Sequence, residues 1–315
     1  MFIAKNKKDA SLVILYKQLG DLLLMEPALS KLVSITKSDV YIATNSEFAP
    51  LFSLMKNIHL APSCLLYDIS HVFSFDYRFK SCMRALLTIS SIKHLILTNQ
   101  KYFKIWHQFF FKTIEIEETS SKYRAKYFFD AINQISSMPF RPPQLIAPPP
   151  WWKPNNLPPK YIVIHATSAW KSKSWSSKAW ATTIIALKKV GVSSFVITGG
   201  NAPWEIKFSE SIVRQSKCDI VNLCGKTNIQ EYISIIYSSS MVLSVDGSAA
   251  HLAAAFKRPN LTLFGPTHPL HWHWPTKISK FIDARNFSPE PKPSVNLIPS
   301  EVCIKEAIKL WKLVR

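Results

Sequence analysis

Hydrophobic and polar positions follow two rhythms along this chain, and the contrast is sharpest after residue 160. Short apolar runs ending in small or polar residues recur at residues 161–167 (YIVIHAT), 194–200 (SFVITGG), 219–225 (DIVNLCG), 241–247 (MVLSVDG) and 261–265 (LTLFG). Runs of this length, rich in β-branched residues and without strict alternation, predict strands buried on both faces. Between them lie SKAWATTIIALKKV, closed by Gly191, then PWEIKFSESIVRQS, and a segment opening with Asn228 and Glu231 at the spacing of a capping box. These predict helices. Strand then helix, repeated, is the pattern of a parallel sheet covered on both faces.

The first half opens the same way, with a strand over 11–16, a turn through Gly20 and a helix over 21–33. Strands follow at 39–45 and 94–100, while residues 101–111 (KYFKIWHQFFF) read as helix or strand, with their aromatics as core. Residues 138–160 hold nine of the 21 prolines, which continue neither a helix nor a central strand. They read as an interdomain linker. A second proline-rich stretch, 288–300, precedes a helix with Ser300 as N-cap and a stripe of Val302, Ile304, Ala307, Ile308 and Leu310 or Trp311. The expected organisation is α/β: a first domain over 1–140, a linker over 141–160, a second domain over 161–298 and a helix over 299–315. Two facing doubly wound domains would leave a cleft between them, with the last helix free to cross back to the N-terminal domain.

Length and composition agree with two packed cores, since 315 residues with 47% hydrophobic content exceed what one core usually holds. The net charge of +19 implies a polyanionic neighbour, and both halves are basic. The tightest cluster, Lys5, Lys7 and Lys8, is short. Neither a nucleic-acid motif nor basic clusters interleaved with exposed aromatics stand out, so no nucleic-acid partner is expected. Cys64, Cys82, Cys218, Cys224 and Cys303 show no CxxC spacing and leave one unpaired, which argues against a disulfide framework or a zinc site and for a reducing cytosol. The apolar run 11–16 is too short for a signal peptide core, and no stretch approaches the roughly 20 apolar residues of a membrane helix. Contact with a membrane is expected to be peripheral.

Glycine is scarce, and six of the seven, at 20, 199, 200, 225, 247 and 265, stand at or just after the ends of predicted strands, where ligands bind in open parallel sheets. In VDGSAAHLAAAF, Asp246 ends a strand while Ser248 and Ala249 open a helix whose unpaired N–H groups favour a phosphate; His251 follows about one turn later. In HATSAWKSKSW, the hydroxyls of Thr167 and Ser168 with Lys171 and Lys173 are donors suited to phosphate oxygens. Two such loops in one half point to a nucleotide diphosphate. Glu205, after TGG, is placed to accept ribose hydroxyls or to be a first-turn helix acid. His268, His271 and His273, with Trp272 and Trp274, read as a loop beside the donor rather than a metal site, since no carboxylate or cysteine lies near.

Three segments, LYKQLGDLLLMEPALSKL, YIVIHATSAWKSKSW and NLCGKTNIQEYISIIYSSSMVLSVDGSAAHLAAAFKRPNLTLFGPTHP, resemble the heptosyltransferases of glycosyltransferase family 9 in content, order and spacing. The resemblance implies a GT-B fold of two facing Rossmann-like domains. It implies metal-free, inverting transfer of heptose from ADP-heptose to a lipopolysaccharide core acceptor, with the ADP-sugar as substrate and no cofactor. By the same resemblance Asp21, beside Gly20 on the acceptor side, is the general base. Thr167, Ser168 and Lys173 contact the donor phosphates, Glu205 the ribose, and Asp246, with Gly247, Ser248, Ala249 and His251, the donor sugar and phosphate. The family usually carries Asp-Ser/Thr-Gly before this helix; here the order is Asp246-Gly247-Ser248. The expected partners are a nucleotide sugar, a phosphorylated glycolipid and the cytoplasmic face of the inner membrane, where a basic surface raises the encounter rate. Two rivals remain: a catalytically inactive basic protein of the same fold that binds a nucleotide or polyanion, and a sugar-nucleotide epimerase or hydrolase.

Overall fold

The computed structural model of the protein describes residues 10–62, 69–98 and 103–314. The chain divides into two compact units, Met1–Leu145 and Ile146–Arg315, and the division falls inside the first proline-rich stretch.

The first unit runs β1 (Ala10–Ile14), α1 (Leu19–Leu24), α2 (Glu26–Thr36), β2 (Val40–Ala43), α3 (Ala49–Phe52), β3 (Ile58–Leu60), β4 (Ile69–Ser74), α4 (Phe79–Leu87), β5 (Ser90–Leu97), α5 (His107–Phe110), β6 (Lys112–Glu115) and α6 (Arg124–Asn133). Its strands pair in parallel in the order β3-β2-β1-β4-β5-β6. Every residue of β1 is buried, as a central strand covered on both faces requires. The helix expected over 21–33 is two helices: Pro27, near the start of α2, has no N–H to continue the ladder, and the chain breaks at Met25. Gly20 lies inside α1, not in a turn, and Gln18 occupies the N-cap. Residues 101–111 resolve, where described, into α5 and the approach to β6.

A buried acid fixes the end of this unit. Glu26 accepts from Arg141 at 2.7 and 2.8 Å and from the Gln144 backbone N–H at 2.9 Å, so the start of the proline-rich stretch is tied to α2. Leaving Glu26 unpaired at this depth would be strongly destabilising, which explains why an arginine stands there.

The second unit runs β7 (Ile162–His165), α7 (Ser177–Lys189), β8 (Phe195–Thr198), α8 (Pro203–Ser216), β9 (Ile220–Asn222), α9 (Ile229–Ser238), β10 (Met241–Val245), α10 (Ser248–Ala255), β11 (Asn260–Phe264), α11 (Pro269–Trp272), β12 (Ser279–Asp283) and α12 (Ser300–Val314). The sheet order is β12-β11-β10-β7-β8-β9, all parallel, which repeats the topology of the first unit with its switch point between β7 and β10. The capping box of α9 is present on both sides, with Asn228 accepting from the Glu231 N–H and Glu231 from that of Asn228. β12 adds a strand after the five expected.

The terminal helix stays with its own unit. Cys303, Ala307 and Leu310 join the core that holds Trp180, Ile184 and Leu187 of α7, so α12 packs on α7. The buried Trp175 donates from its indole Nε1 to the Ile298 carbonyl at 3.1 Å and meets Trp180 edge-on, anchoring the segment after β7 to the segment before α12. Cys82, Cys218, Cys224 and Cys303 are free thiols, while Cys64 and the cluster of Lys5, Lys7 and Lys8 lie outside the described residues. Among the described residues, no helix is long and apolar enough to cross a membrane.

Candidate functional site

In doubly wound sheets the carboxyl ends of the strands flanking the switch point face the ligand crevice. In the second unit these are the ends of β7 and β10, and both lead into the loops singled out from the sequence. Asp246, directly after β10, is buried and accepts from Lys173 Nζ at 2.6 Å and from the Thr267 hydroxyl at 2.7 Å, both on Oδ2. Lys173 ends a 3₁₀ turn after β7, and its ammonium also lies 4.7 Å from the centre of the Trp170 ring. Trp175, two residues on, pins this turn from below. The pair therefore joins the two strands of the switch point with a positive group at its outer edge.

Gly247 follows with φ of 173°, extended backbone open to any residue. A Cβ placed there would meet only Ser168 Cβ, at 3.8 Å, so the space between the Ser168 loop and the start of α10 is unfilled. Ser248 and Ala249 open α10, and the Ser248 hydroxyl lies 3.0 Å from the Tyr232 hydroxyl of α9. Burial pushes the His251 imidazole down to about 4, against the opposing pull of Asp246 and with help from His273 and Lys173. At neutral pH His251 is thus uncharged, and it offers a hydrogen bond but no cation.

A second cluster sits at the end of β8. Glu205, in the first turn of α8, accepts from the Gly200 N–H at 2.5 Å and from the Thr167 hydroxyl at 3.1 Å. A Cβ at Gly200 would lie 2.6 Å from Glu205 Oε2, so this glycine exists to admit the carboxylate. Gly199, Gly225 and Gly265 likewise face protein atoms at close range, Cys224, Ile206 and Val295 respectively. Of the second unit's strand-end glycines, Gly247 is the one whose missing side chain leaves room. Thr167 and Glu205 are brought together and orient each other; Lys173 and Asp246 form a separate pair.

The histidines after β11 divide their roles. His268 caps α11 by accepting from the Leu270 N–H at 3.3 Å. His273 is buried between Phe264 and Phe281, with Nε2 3.2 Å from the Ser279 hydroxyl, and burial lowers it to about 4. Trp272 reaches to 6.3 Å from the His251 ring, which puts the loop beside α10.

In the first unit, Asp21 stands in the first turn of α1, with Arg124 Nε of α6 3.6 Å from its Oδ1. Arg124 also pairs with Glu118 and lies over the rings of Tyr127 and Phe128. Near the ends of β1, β2 and β4 is a cavity of about 410 Å³ lined by Tyr16, Lys17, Gln18, Asn45, Arg78, Lys80 and Ser81. Arg78 is neutralised by the buried Asp76, whose carboxyl is held below its ordinary value by the Arg78 hydrogen bonds although burial opposes this. Lys17 and Lys80 have no acidic partner among the described residues, so the cavity is net positive.

The model of glycosyltransferase family 9 (heptosyltransferase) matches residues 54–294, spanning both units. The chain belongs to glycosyltransferase family 9. Among curated relatives, lipopolysaccharide heptosyltransferase 3 of Escherichia coli (strain K12) is 29% identical over 160 residues, 48% of this chain and 46% of the relative. The chain thus spans about half the length of that relative by sequence. Among solved structures, the family 9 glycosyltransferase of Veillonella parvula superposes with a TM-score of 0.80 at 14% identity, covering 97% of each chain. E. coli ADP-heptose lps heptosyltransferase II superposes with a TM-score of 0.77 at 16% identity, covering 96% of this chain and 99% of that one. The fold is GT-B, two Rossmann-like units in one chain.

Several polar residues of this family 9 chain escaped the sequence reading. Tyr232 and Thr267 support Ser248 and Asp246, yet Tyr232 reads as one more apolar position of α9, and Thr267 stands in a loop with no periodicity. His165, buried at the end of β7, shares a 2.9 Å hydrogen bond with Thr198 at the end of β8 and is lowered to about 4 by burial. A polar residue closing an otherwise apolar strand was the available signal in both strands.

Proposed function

We propose that this family 9 protein is an inverting, metal-independent glycosyltransferase that moves heptose from ADP-heptose to a phosphorylated lipopolysaccharide-core acceptor. The observation carrying this reading is the Lys173–Asp246 pair beside the start of α10 and the unfilled space at Gly247. A diphosphate on the N–H groups of Ser248 and Ala249 gains the favourable end of the helix dipole, and Lys173 stands close by to offset its charge. Ser168 borders the same space, and Thr167, which donates to Glu205, stands with it toward the ribose. The names of the relatives, lipopolysaccharide heptosyltransferase and ADP-heptose lps heptosyltransferase, support this donor and acceptor class.

Inversion requires one displacement. The acceptor oxygen forms a bond to the anomeric carbon on the face opposite the diphosphate, the bond from that carbon to the phosphate oxygen breaks, and the acceptor proton passes to a base. Asp21 is the proposed base, a carboxylate in an α1 turn flanked by Arg124. Lys173 and the α10 start stabilise the ADP that leaves, which is the electrostatic work a metal performs in other transferases. On the acceptor side, Lys17 and Lys80 in the cavity of the first unit suit a phosphate on the glycolipid. The basic surface then acts at the cytoplasmic face of the inner membrane.

Purified full chain incubated with ADP-heptose and a deacylated core acceptor is expected to release ADP only when both are present. The product should carry the anomer opposite to the donor, and a chelator should leave the rate unchanged. ADP release without acceptor would instead support a hydrolase, and ADP binding with no turnover an inactive nucleotide-binding protein.

A further inference from the structure

Residues 77–112 of the first unit contain no Asp or Glu, although they include Arg78, Lys80, Arg84, Lys93, Lys104 and Lys112. The same stretch carries a concentration of exposed apolar side chains. On α4, Ser81, Cys82 and Ala85 are buried toward the sheet, and the opposite side bears exposed Phe79 and Leu87 with half-buried Met83 between them, at four-residue spacing. Phe79 is 74% exposed and Leu87 54%. Around α5 the pattern repeats: Ile105 is 72% exposed, Phe109 73% and Phe110 55%. The aromatics of this stretch were expected to be core, and only part of them is: His107 and Phe111 are buried while Phe109 and Phe110 project outward.

The two groups lie on one side of the sheet. Cys82 and Ala85 of α4 and Phe111, which follows α5, enter the same buried cluster with Leu12, Val72 and Leu95, and Leu86 and Trp106 pack against it. Both helices are crossovers in the same direction, β4 to β5 and β5 to β6, so both cover that sheet face with their outer sides turned away from it. Exposed Lys80 flanks the α4 ridge, with a stem long enough to lie along an apolar surface while its charged end reaches water, and Arg84 beside it donates to the Pro62 carbonyl at 2.6 Å. Arg78 and Lys80 also line the cavity, so this face is continuous with the rim of the proposed acceptor pocket.

We propose that the outer face of α4 and α5 docks the protein on an anionic lipid bilayer, with Phe79, Leu87, Ile105 and Phe109 entering the headgroup–acyl boundary and the flanking bases meeting lipid phosphates. Apolar residues on one side and bases beside them, without acids, are what an interfacial helix requires. A second copy of the chain is a poor occupant, because a two-fold contact would set this basic face against itself. Nucleic acid fits less well: Phe79, Phe109 and Phe110 offer rings to a base, but the exposed aliphatic side chains of Leu87, Ile89, Ile92 and Ile105 do not. The proposal rests on the membrane-facing acceptor in the function given above, and adds the surface that meets the membrane.

The test is co-sedimentation of the full chain with vesicles of phosphatidylethanolamine and phosphatidylglycerol, and with phosphatidylcholine vesicles as the neutral control. The wild type should partition onto the anionic vesicles about ten-fold more strongly than onto the neutral ones, and less so in high salt. The variant Phe79→Ser/Leu87→Ser/Ile105→Ser/Phe109→Ser should lose about ten-fold in partition while its melting temperature and ADP affinity stay at the wild-type values. If the quadruple variant does not fold, Phe79→Ser and Phe109→Ser singly decide by the same criterion. Equal sedimentation of variant and wild type, a wild type left in the supernatant, or a wild-type dimer in light scattering that the substitutions dissolve would each overturn the proposal. Failure of the wild type to bind ADP would defeat the donor reading and leave the vesicle result standing.

Discussion

The two units share one strand order but differ at their switch points. In the second unit the polar groups are engaged with one another: Lys173 and Thr267 on Asp246, Thr167 and Gly200 on Glu205, Tyr232 on Ser248, His165 on Thr198. In the first, Lys17 and Lys80 line a cavity with no acid to meet them among the described residues. A site whose groups are fixed before the ligand arrives suits a ligand of one fixed shape, such as a nucleotide. The looser arrangement suits a large and variable one.

The contrast is open to four experiments, from the largest effect to the smallest. Acid should separate the units. His165, His251 and His273 of the second unit are each held at about 4 by burial, whereas in the first only His94 is pushed as far. Their unfolded value is near 6.5, so between there and about pH 4 the unfolded chain binds more protons than the folded one. Stability is then complete above about pH 6.5 and falls as pH drops, by up to about 1.4 kcal/mol per pH unit for each histidine. Hydrogen exchange at pH 5 should show the second unit opening first; equal protection of the two units would contradict this.

Asp21→Asn should lower single-turnover heptose transfer by about 10³-fold while leaving ADP affinity unchanged, because a general base acts on the acceptor alone. A variant as active as wild type would remove the base assignment. Lys173→Ala should reduce stability by about 3 kcal/mol, since it leaves Asp246 buried without its cation, and should weaken ADP binding. The double variant Lys173→Met/Asp246→Asn should recover much of the melting temperature but not the ADP affinity. If both recover, the pair is structural and the donor is held elsewhere. Gly247→Ser should change stability by no more than about 0.5 kcal/mol, as the new Cβ meets only Ser168 at 3.8 Å, while calorimetry should show altered binding of the donor.

The second unit was the more legible in sequence, for reasons visible in particular residues. β7, β8, β10 and β11 are buried along their whole length, and that leaves short runs dominated by Val, Ile, Leu and Phe. β12 was missed because it is an edge strand with Lys280 exposed and no such run. β4, central in its sheet, was missed because Ser70 and His71 interrupt its apolar positions, and His71 is there to stack against Phe73 and His94. The stripe of α12 could be read, but a stripe tells that a face is buried and not against what; Ala307 meets α7. Thr167 and Glu205 were each legible as polar groups at strand ends, yet their mutual hydrogen bond joins residues 38 positions apart, which no local pattern encodes.

The unfilled space at Gly247 has a consequence for how such a chain can change over generations. Most residues around the switch point are locked to a neighbour, so a substitution there is paid for in folding. Position 247 is extended, uncrowded and next to the proposed donor. It is a place where substrate preference can drift by single replacements while the architecture stays as it is.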